Sequence, residues 1–169
     1  MEKSGGFDMS KMSMADKIVL GGGILLLLDS FLSWQKVCVS DIVGGLAGLP
    51  NFCGKANAWG GNGSFFGLLM GLLLIALIIG EVVQIGGMAA NVKMPVSPSK
   101  GTAYLGFGAA AFGLIKFILA VTNHGALFAY VGLILILGVA YGSWMKFQEP
   151  EGASPPAAAS GGSDGGFSA

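Results

Sequence analysis

The stretch FFGLLMGLLLIALIIGEVVQI, residues 65–85, decides the fold: twenty-one residues carrying one formal charge, Glu81. As a helix rising ~1.5 Å per residue it covers about 30 Å, the thickness of a bilayer's hydrocarbon layer. A small soluble domain has no way to cover a segment that is apolar on every side, whereas lipid does so readily. The stretch predicts a membrane-spanning helix over residues 64–87, with Asn62 as its N-cap.

Composition agrees. The chain has 169 residues, mean hydropathy +0.73 and 11% charged residues, whereas a water-soluble surface usually carries more than twice that charge density. Many of the thirty glycines lie inside apolar runs, where small residues let membrane helices approach closely. Net charge is zero and every basic residue is a lysine. With no guanidinium fork and no basic patch, nucleic acid is excluded as a partner. The length suits one domain.

Working outward, residues 88–100 form a hydrophilic turn in which Pro95 and Pro98 bar continuous helix. Ser97 before Pro98 reads as an N-cap with proline at the first helical position. A third spanning helix follows over residues 101–121. Thr122-Asn123-His124-Gly125 is a tight reversal, so the fourth helix, 126–146, should lie antiparallel beside it. Residues 148–169, rich in Glu, Pro, Ala, Ser and Gly, read as a disordered tail. On the other side, residues 35–63 make the longest polar segment between spans, and residues 41–49 suit a short helix on the membrane surface. The first span covers residues 17–34, opened by an S-x-x-D capping box at Ser13 and Asp16. Its lysines and Leu25–Leu28 core also suit a signal peptide, but no A-x-A site follows, which favours an uncleaved anchor. Residues 1–16 read as a polar arm. The expected fold is therefore all-α: a four-helix transmembrane bundle spanning residues 17–147.

Lysine placement orients it. Lys3, Lys11, Lys17, Lys93, Lys100 and Lys146 fall on one side, Lys36 and Lys55 on the other, which puts both termini in the cytoplasm of a cell whose plasma membrane is crossed four times, a bacterial inner membrane by expectation. Trp34, Trp59, Phe65 and Phe66 suit the outer aromatic belt, and Tyr104, Tyr141 and Trp144 the inner one.

Few groups carry chemistry. Cys38 and Cys53 share the outer loop, where an oxidising compartment permits a disulfide; two unpaired thiols, or a metal site lacking histidine, are the alternatives. Three ionisable residues fall inside spans, Asp29, Glu81 and Lys116, and each needs a partner, a cavity or an escape to the interface. Asp29 and Lys116 share a depth that permits a buried pair, and Glu81 suits Lys17 or Lys100. The trio either lines a polar path for a solute, ion or proton, or is accommodated by pairing and by Lys116 snorkelling outward. Gly67 and Gly71, Gly106 and Gly113, and Gly138 and Gly142 are close-packing positions, serving the bundle itself or association with other subunits or copies. There is also an internal echo: Asn62 stands nine residues before Gly71 in GLLLIAL, and Asn123 nine before Gly132 in GLILILG. His124, the single histidine, reads as a polar turn residue. It would need a second axial ligand to hold a haem, so no cofactor is expected. No metal-binding or catalytic set is present, and an enzyme is not expected.

Asp29-Ser-Phe-Leu-Ser-Trp34, then Cys38, then Asn57-Ala-Trp-Gly60 leading into a Gly/Leu-rich span, resembles small four-helix integral membrane proteins of actinobacterial type. That resemblance implies a fold and no activity. A GLW-x-x-C pattern of claudin-type proteins is not matched, because Gly48-Leu-Pro-Asn-Phe-Cys53 lacks the tryptophan. The expected role is that of a non-catalytic structural or accessory subunit in the lipid bilayer, with a channel or transporter using Asp29, Glu81 and Lys116 as the alternative.

Overall fold

The computed structural model describes residues 12–38, 53–86, 97–122 and 125–149. Residues 1–11 of the expected arm, the surface helix over 41–49, residues 123–124 of the turn and the tail from residue 150 lie outside these, and α1 takes in Met14 to Asp16 of that arm. Among the described residues there are four helices: α1 (Met14–Asp29), α2 (Ser64–Ile85), α3 (Pro98–Thr122) and α4 (Leu127–Gln148). Between α1 and α2 lies an antiparallel hairpin of β1 (Gln35–Cys38) and β2 (Cys53–Ala56). The helices close a ring: α2 packs on α3, α3 on α4, α4 on α1, and α1 completes it with a smaller contact on α2. Three of them, α2 to α4, are long and apolar enough to cross a membrane.

The helix ends show why each begins or stops where it does. At the start of α1, the Ser13 hydroxyl accepts from the Asp16 N–H, and the Ser13 N–H donates to the Asp16 carboxylate. Both exchanges satisfy donors left free by the first turn. The helix then stops at Asp29 rather than continuing to residue 34. The Ser30 hydroxyl donates to the Leu27 carbonyl at 2.6 Å, and the indole of Trp34 folds back to donate to the Asp29 carbonyl at 3.1 Å. Side chains have taken over acceptors that the next helical turn would have used. At sixteen residues α1 covers only ~24 Å.

At α2 the N-cap is Gly63 and not Asn62. Gly63 is left-handed, with φ 72°, and a Cβ there would meet Leu119 of α3, so both conformation and space demand glycine. Pro98 opens α3 three residues earlier than the apolar run suggested, as the first-position preference of proline allows. The Ser97 hydroxyl has no partner, and Ser97 contributes its carbonyl to the Gly101 N–H instead.

The core runs the length of the bundle. Val19 and Leu26 of α1, Met70, Leu74 and Leu77 of α2, Ala109 of α3, and Ile136 and Val139 of α4 are buried together. Small residues on α3 let α4 and α2 close in: a Cβ at Gly113 would lie 3.0 Å from Ile136 and from the Met70 sulfur. Gly106 faces Ser143 and Gly142 faces Val19. Gly138, by contrast, meets nothing within 4 Å. It faces outward and does not pack the bundle.

Candidate functional site

The buried polar groups gather at the two ends of the bundle. At the end where α1 begins, Lys146 of α4 is buried between two carboxylates. Its Nζ lies 2.6 and 2.7 Å from Oε1 and Oε2 of Glu81 on α2 and 2.8 Å from Oδ1 of Asp16 on α1. Neither Lys17 nor Lys100, the partners expected for Glu81, supplies the charge. One ammonium thus ties three helices. Gln84 ties the fourth, donating to the Pro98 carbonyl at 2.8 Å and to the Thr102 hydroxyl at 3.2 Å. Asp16 precedes the apolar run. Burial raises its carboxyl, but the Lys146 ammonium and the Ser13 contacts more than reverse this, so it titrates below the ordinary carboxylate range.

At the opposite end, the shortfall of α1 leaves a space that irregular chain fills. Trp34 is fully buried there and is no interfacial anchor, contrary to its expected place in the outer belt. Its indole donates to Oδ2 of Asp29 at 3.1 Å and sits against Gly132 of α4. The Trp34 N–H donates to the Ala56 carbonyl, and the Trp34 carbonyl accepts from Ala126. Residues 57–63 lie across the mouth of the bundle as a cap. Ala58 is buried, with its carbonyl against Gly67, and the Trp59 ring seats on Gly71. The Trp59 indole donates to the Ser30 hydroxyl at 2.9 Å. Gly67 and Gly71 therefore receive the cap rather than another helix.

Lys116 of α3 closes the cap from below. Its Nζ donates to the carbonyls of Gly60, at 2.9 Å, and Asn62, at 2.6 Å, and the residue is fully buried. It neither snorkels nor pairs with Asp29. Gln35 donates to the same Gly60 carbonyl at 3.2 Å. An ammonium needs acceptors, and backbone oxygens freed by the turn provide them. Two buried acceptors at this end have no partner, Oδ1 of Asp29 and Oε1 of Gln35.

The hairpin rises from the cap. Cys38 and Cys53 are joined by a disulfide, and they are the last cross-strand pair before residues 39–52. No cluster of three or more His, Cys, Asp or Glu that could hold a metal occurs among the described residues. Neither the Gln84 tie nor the Trp34 plug was foreseen; the aligned glycines, Gly71 and Gly132, were the available signal, since each holds an indole.

Between the ends the core is apolar: Leu26, Met70, Leu74, Leu77 and Ile136 fill the section. Fold and polar groups together define a four-helix bundle with an ionic knot at one end and a disulfide-closed cap at the other. No protein family, curated protein or solved structure matches the chain.

Proposed function

We propose that this chain is a small multi-pass protein of a bacterial plasma membrane, with both termini cytoplasmic, acting without catalysis as a structural or accessory subunit. One observation carries the membrane reading. Every helix turns large apolar side chains outward, among them Ile24 and Leu28 on α1, Leu72 and Ile79 on α2, Ile118 on α3 and Ile134 on α4. The windows of α2, α3 and α4 have mean hydropathies of 2.6, 1.9 and 1.9, yet only 33% of each is buried within the chain. In water such a surface far exceeds the apolar patches of soluble monomers. In lipid it is the expected exterior, and the cap supports the same reading, because irregular backbone at membrane depth is tolerated where protein buries it.

The orientation rests on lysine placement. With Lys146 consumed inside the bundle, Lys3, Lys11, Lys17, Lys93 and Lys100 remain on the α1-entry side against Lys36 and Lys55 on the hairpin side. A cysteine placed in the C-terminal tail should resist a membrane-impermeant reagent in intact cells; labelling there would reverse the orientation.

The accessory role draws on the inward use of polar groups, which leaves a greasy outside with an open small-residue notch at Gly138, between Ile134 and Tyr141. Extraction of native membranes in mild detergent should recover the chain with another subunit or with a second copy. Recovery as a lone chain would sink this role. Among the described residues, the unpartnered Oδ1 of Asp29 is the feature favouring a channel or transporter. Flux through proteoliposomes that disappears in Asp29→Asn would establish that reading in place of the first.

A further inference from the structure

The hairpin breaks a local rule of sheet pairing. Lys36 on β1 and Lys55 on β2 are direct cross-strand partners, and both are exposed. Partners in an antiparallel pair point to the same face with Cβ atoms about 5 Å apart, and like charges there are destabilising. The strands are not free to fray and relieve the repulsion. One residue inward, Gln35 is buried and bridges to Gly125. Two residues outward, the disulfide fastens Cys38 to Cys53 on the same face as the lysines. Among the described residues neither ammonium has a carboxylate within ion-pair distance.

Helix dipoles offset one another here, because the N-termini of α2 and α4 and the C-termini of α1 and α3 lie at the same end. The buried Lys116 ammonium at this end adds to the positive charge. Asp29, the acidic group described here, is buried beneath Trp34. Phe31, Leu32 and Phe65 are exposed beside the cap, which on the membrane reading sets the hairpin at the depth of the lipid headgroups.

We propose that Lys36 and Lys55 together bind the phosphate of an anionic phospholipid in the outer leaflet. This rests on the membrane reading above. One phosphate offers several acceptor oxygens to two point charges held side by side, and it removes their mutual repulsion. The aliphatic stems of both lysines lie along the lipid.

The test uses the full chain in phosphatidylcholine vesicles doped with spin-labelled phosphatidylglycerol or spin-labelled phosphatidylcholine. The motionally restricted fraction of each reports the preference. Wild type should prefer phosphatidylglycerol by a factor on the order of five or more, falling with salt. The double variant Lys36→Gln/Lys55→Gln should bring the ratio close to one, and Lys55→Glu, which relieves the repulsion and keeps the hairpin paired, should do the same. Lys17→Gln/Lys100→Gln at the other end should leave it unchanged. A ratio unaffected by the hairpin variants overturns the proposal. So does loss of the preference on adding inorganic phosphate but not chloride at equal ionic strength, which would assign the pair to free phosphate. A chain that fails to float with the vesicles overturns the membrane reading itself, an outcome separate from a vesicle-bound chain that shows no headgroup preference.

Discussion

Lys146 and Glu81 lie 65 positions apart in sequence, and their side chains meet at 2.6 Å inside the bundle, Glu81 fully buried and Lys146 nearly so. A buried pair of this kind is weak evidence for stability, because desolvation offsets most of the attraction; removing one partner, however, leaves an uncompensated charge. Lys146→Met should therefore destabilise the fold by about 3 kcal/mol or more. The triple variant Asp16→Asn/Glu81→Leu/Lys146→Met, which leaves neither carboxylate without its cation, should recover much of that loss. Denaturant titrations in detergent read both, and a triple variant as weak as the single one would show that the ionic knot itself stabilises the bundle.

Asp16 shares the same ammonium, which makes the knot sensitive to acid. Its folded-state carboxyl titrates below the ordinary range. A depressed carboxylate contributes stability that is fully present above the unfolded-state value of about 3.9 and is lost as pH falls through the folded-state value. Thermal midpoints of wild type and Asp16→Asn should differ at pH 6 and converge as pH falls through the depressed folded-state value. A difference that persists at the lowest pH would assign the effect of the substitution to the capping box and not to charge.

Lys116 holds the cap by two carbonyls, those of Gly60 and Asn62. Hydrogen bonds from a charged donor contribute about 1.5–3 kcal/mol each. Lys116→Met should free residues 57–63 and leave the helices in place. Hydrogen exchange should then rise selectively at amides such as Ala58 N–H, which donates to the Ser30 carbonyl. Exchange rising equally along α2 and α3 would mean that Lys116 supports the bundle as a whole.

The Cys38–Cys53 bridge spans a sequence separation of 15. Closing a loop of that length removes unfolded-state entropy equivalent to roughly 3 kcal/mol. Cys38→Ser/Cys53→Ser should lower stability by up to that amount and leave the α1–α4 contacts intact. A double variant as stable as wild type would indicate that the hairpin is held from its inner end, by Gln35 and Trp34, alone.

What the sequence disclosed follows from what hydropathy measures. Apolar runs located α2, α3 and α4 to within a few residues, because a helix turned outward on most sides must be apolar on most sides. Hydropathy does not see a side chain that folds back. Asp29-Ser-Phe-Leu-Ser-Trp34 is apolar enough to extend α1, yet Ser30 and Trp34 capture the Leu27 and Asp29 carbonyls and end it. Depth along the axis was legible for Glu81, but rotation about the axis was not. Lys146 was thus read as a surface charge that orients the protein, and Lys17 or Lys100 as the partner of Glu81. Rotation also separates the two uses open to the glycines: Gly113 and Gly142 pack the bundle, whereas Gly138 faces outward.

The spacing echo between Gly71 and Gly132 acquires a physical meaning, since each glycine is a seat for an indole delivered by non-helical chain, Trp59 and Trp34 respectively. A Cβ at Gly132 would stand 2.8 Å from both the Trp34 Cη2 and the Asp29 Oδ2, closer than real carbon contacts allow. Neither neighbour can yield cheaply, because the indole is fully buried and bonded to Asp29. Gly132→Ala should therefore lift Trp34 out of the bundle mouth and cost stability on the scale of overpacking, about 1–3 kcal/mol. The displaced ring should redshift tryptophan emission in a Trp59→Phe/Trp144→Phe background. Adding Trp34→Phe removes the part of the ring that clashes, so the double variant should regain stability relative to Gly132→Ala alone. If Gly132→Ala leaves emission and stability unchanged, Trp34 does not fill the space beyond α1, and the account of why that helix ends at Asp29 fails with it.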